Sequence, residues 1–118
     1  MSELSKITDA LRKFAADRDW DQFHTPKNLA MALTGEVGEL VEHFQWVKDE
    51  QIPSLLKDTS KKEAISDEIA DVFSYLVRLS DKLEIDIGEA FWKKIDKNNK
   101  KYPADLAKGS AKKYTEYD

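Results

Sequence analysis

A chain of 118 residues is expected to form a single domain, 1–118, and it holds no cysteine, which excludes a disulfide framework, a thiolate nucleophile and any Cys-based metal site. The net charge of −4 hides a basic stretch: residues 93–113 carry eight lysines against two aspartates, a local +6 that leaves about −10 elsewhere and argues against a nucleic-acid surface. With no apolar leader at the N-terminus and no apolar run near the roughly 20 residues that span a bilayer, a soluble cytoplasmic protein without a membrane partner is expected.

Leu4, Ile7, Leu11 and Phe14 recur at three- and four-residue steps and predict an amphipathic helix over about 3–17. A polar connector with aromatics follows, from Asp17 to His24. Thr25-Pro26 reads as the N-cap and first position of a second helix, which continues through Leu29, Leu33, Val37, Leu40, Val41 and Phe44 to about Trp46. Gly35 and Gly38 inside it cost about 1 kcal/mol each relative to Ala, which points to close approach of backbone, ligand or a neighbouring helix. Pro53 breaks the pattern over 48–59, where Ile52, Leu55 and Leu56 suit a short helix or a packed loop.

Ser60-Lys61-Lys62-Glu63 is a capping-box pattern, and Ile65, Ile69, Val72, Phe73, Leu76, Val77 and Leu83 mark a third major helix beyond it. Asp86-Ile87-Gly88-Glu89 repeats the capping logic before a fourth, carrying Ala90, Phe91 and Ile95 and ended by Pro103. The remainder, about 104–118, is expected to be an irregular tail. Lacking β-alternation and a Gly-rich phosphate loop, the chain is read as all-α, a four-helix bundle.

Chemistry enters through two acidic pairs at helical spacing, Glu36-Val37-Gly38-Glu39 and Glu68-Ile69-Ala70-Asp71. Residues three apart share a helix face, so antiparallel packing of the two helices would bring all four carboxylates to one patch. Both pairs sit among apolar positions, where mutual repulsion calls for a cation. Oxygen donors without cysteine or histidine select Mg²⁺, with Mn²⁺ as a substitute, and Mg²⁺ held by carboxylates implies a phosphorylated ligand. A di-iron bundle would need Glu-x-x-His motifs, which are absent. Trp20, Phe23, His24, Trp46 and Tyr75 serve equally as core or interface residues, or as a stacking platform for a base.

The pattern Glu-x-x-Glu, 28 intervening residues, Glu-x-x-Asp, with Arg18-Asp19-Trp20-Asp21-Gln22-Phe23-His24, Phe44-Gln45-Trp46, Lys101-Tyr102-Pro103 and Lys108-Gly109-Ser110-Ala111, resembles the all-α nucleoside triphosphate pyrophosphatases, the MazG-like superfamily, and within it the dCTP-hydrolysing branch. The resemblance implies Mg²⁺-dependent cleavage of dCTP or modified dCTP to the monophosphate and pyrophosphate, by a homotetramer that cleanses the nucleotide pool. It implies metal ligation by Glu36, Glu39, Glu68 and Asp71. The base and sugar pocket would use Trp20, Asp21, Gln22, Phe23, His24, Trp46 and Tyr75, and the distal helix would reach phosphate or sugar through Lys94, Asn98 and Lys101. Glu39 is the candidate general base. Leu11 stands where the mammalian branch carries histidine, and Lys101 where arginine is usual. The alternatives are a dUTP or modified-nucleotide pyrophosphatase and a non-catalytic helical interaction protein.

Overall fold

The computed structural model describes residues 2–116, and among these it contains six α-helices, three short 3-10 turns and no strand. The helices are α1 (Glu3–Asp17), α2 (Pro26–Glu42), α3 (Ile52–Lys57), α4 (Thr59–Lys82), α5 (Ile87–Lys101) and α6 (Ala104–Ala107). The all-α expectation holds, whereas the four-helix count becomes six. The two additions, α3 and α6, are each shorter than two turns; α3 forms where the sequence suits a short helix or a packed loop, and α6 where it suggests an irregular tail. The chain divides into two compact units, Met1–Ile85 and Asp86–Asp118.

In the first unit, α2 and α4 form the central pair, and α1 and α3 each pack on α4. Ala15 of α1, Leu29 of α2, and Ile65 and Val77 of α4 are its buried apolar residues. Helix starts follow local chemistry. Thr25 caps α2 by accepting from the Asn28 N–H at 3.2 Å, with Pro26 at the first helical position, where its missing donor costs nothing. The start of α4 differs from the capping-box reading: the cap is Asp58, whose Oδ1 accepts from the N–H groups of Ser60 and Lys61, so Ser60 already lies inside the helix. A carboxylate that reaches two orphan donors outcompetes a hydroxyl that would satisfy one. Likewise α2 ends at Glu42 rather than near Trp46, because the chain tightens into three-residue turns, Phe44 N–H to Val41 O and Val47 N–H to Phe44 O.

Both α1 and α4 end in a left-handed residue without glycine, Asp19 at φ 54° and Glu84 at φ 57°. At α1 the Asp19 N–H donates to Ala16 O and the Trp20 N–H to Ala15 O, the paired bonds of a Schellman stop. The apolar contact that accompanies such a stop is Trp20 edge-on to Phe14, with centroids 5.8 Å apart. This stop turns Trp20 back onto α1. A 3-10 turn, Asp21–Phe23, then delivers His24 to the start of α2.

The second unit holds α5 and α6. Asp86 caps α5 by accepting from the Glu89 N–H, as the sequence predicts, and the helix ends before Pro103. Among the described residues no helix is long and apolar enough to cross a membrane.

Candidate active site

Glu36 and Glu39 of α2 and Glu68 of α4 each bring a carboxylate oxygen within 4.8 Å of the others. Asp71, the fourth predicted acid, stands outside this trio but within electrostatic reach of Glu36 and Glu68. It shares with Glu36 a cavity of about 440 Å³ whose wall also carries Trp20, His24, Tyr75 and Arg78. Glu39 and Glu68 border a second cavity, of about 640 Å³, together with His43, Trp46 and Lys61. Pairing 36 with 71 and 39 with 68 means that α2 and α4 run antiparallel, the arrangement on which the convergence of the two acidic motifs depends. The acidic trio thus joins an aromatic cavity to one bearing two basic side chains.

The electrostatics are those of a site waiting for positive charge. Burial, followed by hydrogen bonding and repulsion from Glu39, pushes the Glu36 carboxyl up to about 7. Glu68 is raised as well, by burial first and by Glu39 next. One oxygen of each, Glu36 Oε2 and Glu68 Oε2, is buried with no hydrogen-bond partner among the described residues. An orphaned buried acceptor costs about 1–3 kcal/mol, more when charged, and a bound cation removes that cost. An all-oxygen donor set fits a hard divalent metal.

The remaining predicted residues divide. Trp20, His24 and Tyr75 meet at the first cavity, and Trp46, 87% exposed, lies at the second. Asp21 is engaged elsewhere: its Oδ1 accepts from Lys82 Nζ at 2.6 Å and from Arg78, and it borders a separate recess with Arg12 and Asp81. These cations, Lys82 first, hold its carboxyl below the usual range. Gln22 donates to the Asp19 carbonyl and carboxylate, and Phe23 is exposed. Lys94, Asn98 and Lys101 lie on α5 in the second unit, where the Lys101 ammonium sits 4.2 Å from the ring centroid of Tyr114.

Sequence reasoning does not single out Arg78, which is 5% exposed and lines the aromatic cavity. A signal is available: Asp71, Tyr75 and Arg78 follow the i, i+4, i+7 steps of one helix face. Lys61 reads in the sequence only as part of a cap. Gly35 and Gly38 show no close approach among the described residues, since a methyl group at either would meet nothing within 4 Å.

The MazG-like family matches residues 32–117. The chain belongs to that family. It is 45% identical over 113 residues to dCTP pyrophosphatase 1 of Bos taurus, covering 96% of this chain and 67% of that protein. With the protein of the same name from Homo sapiens it shares 46% over 113 residues, covering 96% and 66%. The chain therefore spans about two thirds of the length of these curated relatives. A solved pyrophosphatase from Archaeoglobus fulgidus DSM 4304 superposes with a TM-score of 0.81 at 40% identity, covering 87% of this chain and 94% of that one.

Proposed function

We propose that this MazG-like protein is a Mg²⁺-dependent nucleoside triphosphate pyrophosphohydrolase that converts dCTP or a modified dCTP to the monophosphate and pyrophosphate. The observation that carries the reading is the acidic trio with two orphaned buried oxygens, set between an aromatic cavity and a cavity bearing Lys61 and His43. The relatives named for dCTP support the substrate class.

Glu36, Glu39 and Glu68 would hold the metal, with Asp71 completing the negative field beside them. Mg²⁺, or Mn²⁺ in its place, supplies neutralisation of the triphosphate and acidification of water. Glu39 is the exposed member of the trio, which supports its role as the general base that takes a proton from the attacking water. Trp20 and Tyr75 give the base flat surfaces, while Lys61 and His43 offer donors to phosphate or sugar. No protein nucleophile is required.

The protein works as one MazG-like domain over 1–118, in the cytoplasm, as a homo-oligomer, with the tetramer favoured. Support for assembly comes from apolar stripes left open on the central pair. Val37 and Val41 on α2, Phe44 in the turn just after it, and Ile69, Phe73 and Leu76 on α4 are all exposed.

Pyrophosphate release from a panel of canonical and 5-modified nucleotides with Mg²⁺ tests the function. dCTP and its 5-methyl derivative should react comparably and faster than dTTP or dATP. Highest kcat/KM for dUTP or a purine triphosphate would overturn the dCTP assignment, and no pyrophosphate from any nucleotide would overturn the enzyme.

A further inference from the structure

Arg78 is the one buried charged side chain among the described residues, and all three of its guanidinium nitrogens are committed. One terminal nitrogen donates to Asp21 Oδ1, the other to Asp81 Oδ2 at 3.4 Å, and Nε donates to His24 Nδ1 at 3.2 Å. The two carboxylates are themselves fixed from outside. Arg12 holds Asp81 through paired bonds of 2.8 and 2.6 Å, and Lys82 holds Asp21. The guanidinium is therefore clamped in position and orientation.

A guanidinium has donors only and does not give up its proton in proteins, so the atom facing Nε must be an acceptor. His24 must then keep Nδ1 unprotonated and carry its single proton on Nε2. Turning the ring over would place a carbon against the N–H, and protonating it would set two donors face to face. Burial and the Arg78 charge both disfavour the imidazolium as well. Nε2 has no hydrogen-bond partner among the described residues, and the ring lines the aromatic cavity beside Trp20 and Tyr75.

We propose that Arg78 is a positioning residue that locks His24 as its Nε2–H tautomer, so that the aromatic cavity presents one fixed N–H donor to the acceptor edge of a pyrimidine, the ring nitrogen and carbonyl that cytosine offers. This rests on the nucleotide reading of the site. A fixed donor favours cytosine, whose N3 accepts, over uracil or thymine, whose N3 carries a proton. It locates discrimination at His24, whereas Asp21 Oδ1 already accepts from both Arg78 and Lys82.

The first test is spectroscopic and needs neither a variant nor a substrate. Long-range ¹H–¹⁵N correlation of the histidine rings in the nucleotide-free wild type should place the His24 proton wholly on Nε2. A ring protonated on Nδ1, or averaging between the two tautomers, would overturn the proposal. The second test uses Arg78→Met, His24→Ala and the double variant with dCTP. Loss of the Nε2–H donor should raise KM about tenfold in His24→Ala, and release of the ring should raise it by less in Arg78→Met, with kcat little changed by the latter. Because Arg78 acts through His24, adding Arg78→Met to His24→Ala should raise KM no further. Additive increases would assign Arg78 a general structural role and overturn the proposal. The ring spectrum is independent of catalysis, so failure of the nucleotide reading in the pyrophosphate assay is told apart from failure of the tautomer lock.

Discussion

Glu36 on α2 and Glu68 on α4 each bury a carboxylate oxygen that nothing in the described protein satisfies, and the two groups meet within 4.8 Å across the central helix pair. Such a pair opposes folding unless a cation lies between them. Glu68→Gln should therefore raise the melting temperature of the metal-free protein while abolishing the further rise that Mg²⁺ gives the wild type, and activity should fall on the order of a thousandfold. Thermal melts with EDTA and with Mg²⁺ check both halves. A Mg²⁺-induced shift equal to that of the wild type would remove Glu68 from the metal site.

The same pair predicts a pH signature. Folding raises the Glu36 carboxyl from its ordinary 4.5 to about 7, so across that window the folded state binds more protons than the unfolded chain. Stability from this group is then greatest at the acid end and falls as pH rises towards about 7. His24 works in the opposite direction, because its depressed folded value makes the unfolded chain the better proton acceptor below the ordinary 6.5. Comparing wild type with Glu36→Gln cancels that term. In EDTA, the wild type should lose stability relative to the variant between about pH 5 and about pH 7.5, and a constant difference would show that burial and repulsion do not raise this carboxyl.

The ion cluster around Arg78 yields a stability ranking. Asp81 is half-buried and serves both Arg12 and the buried Arg78, whereas Arg12 is mostly exposed. Asp81→Asn should cost about 1–2 kcal/mol by weakening a charge-assisted bond to a buried cation, and Arg12→Ala should cost less. The contribution of Asp81, whose carboxyl Arg12 above all holds below its ordinary 3.8, is present above that value and is lost as pH falls through the folded one. Urea unfolding at neutral pH checks the order, and a larger loss for Arg12→Ala would reverse the assignment of the buried partner.

Much of the site is legible in the sequence because helical periodicity and two acidic pairs are enough to bring Glu36, Glu39 and Glu68 together: side-chain spacing on an antiparallel helix pair follows from geometry alone. The connector is not legible in the same way. Asp19 and Glu84 take left-handed stops without glycine, so no residue type announces where α1 and α4 turn. The roles of Asp21 and Arg78 depend on pairing across 57 residues, a relationship no local pattern encodes. Asp58 escapes notice as a cap because Ser60 and Glu63 fit a known motif two residues later.

The proposed assembly rests on what the described chain leaves uncovered. Val37 and Val41 on α2 with Phe44 in the turn after it, and Ile69, Phe73 and Leu76 on α4, leave apolar surface exposed. Only Ala15, Leu29, Ile65 and Val77 are buried apolar residues among those described, a small core for a chain of this length. Gly35 and Gly38 sit on the same helix, and among the described residues nothing lies within 4 Å of where their side chains would begin. A second copy laid on this surface would bury it and account for both glycines as points of close helix approach. The wild type should scatter light as a homo-oligomer at micromolar concentration. Ile69→Glu combined with Phe73→Glu should give a smaller species that keeps its helical circular dichroism, since both positions are exposed in the isolated chain. Wild-type scattering of a monomer would defeat the assembly proposal. An oligomer unchanged by the double substitution would move the interface to another face.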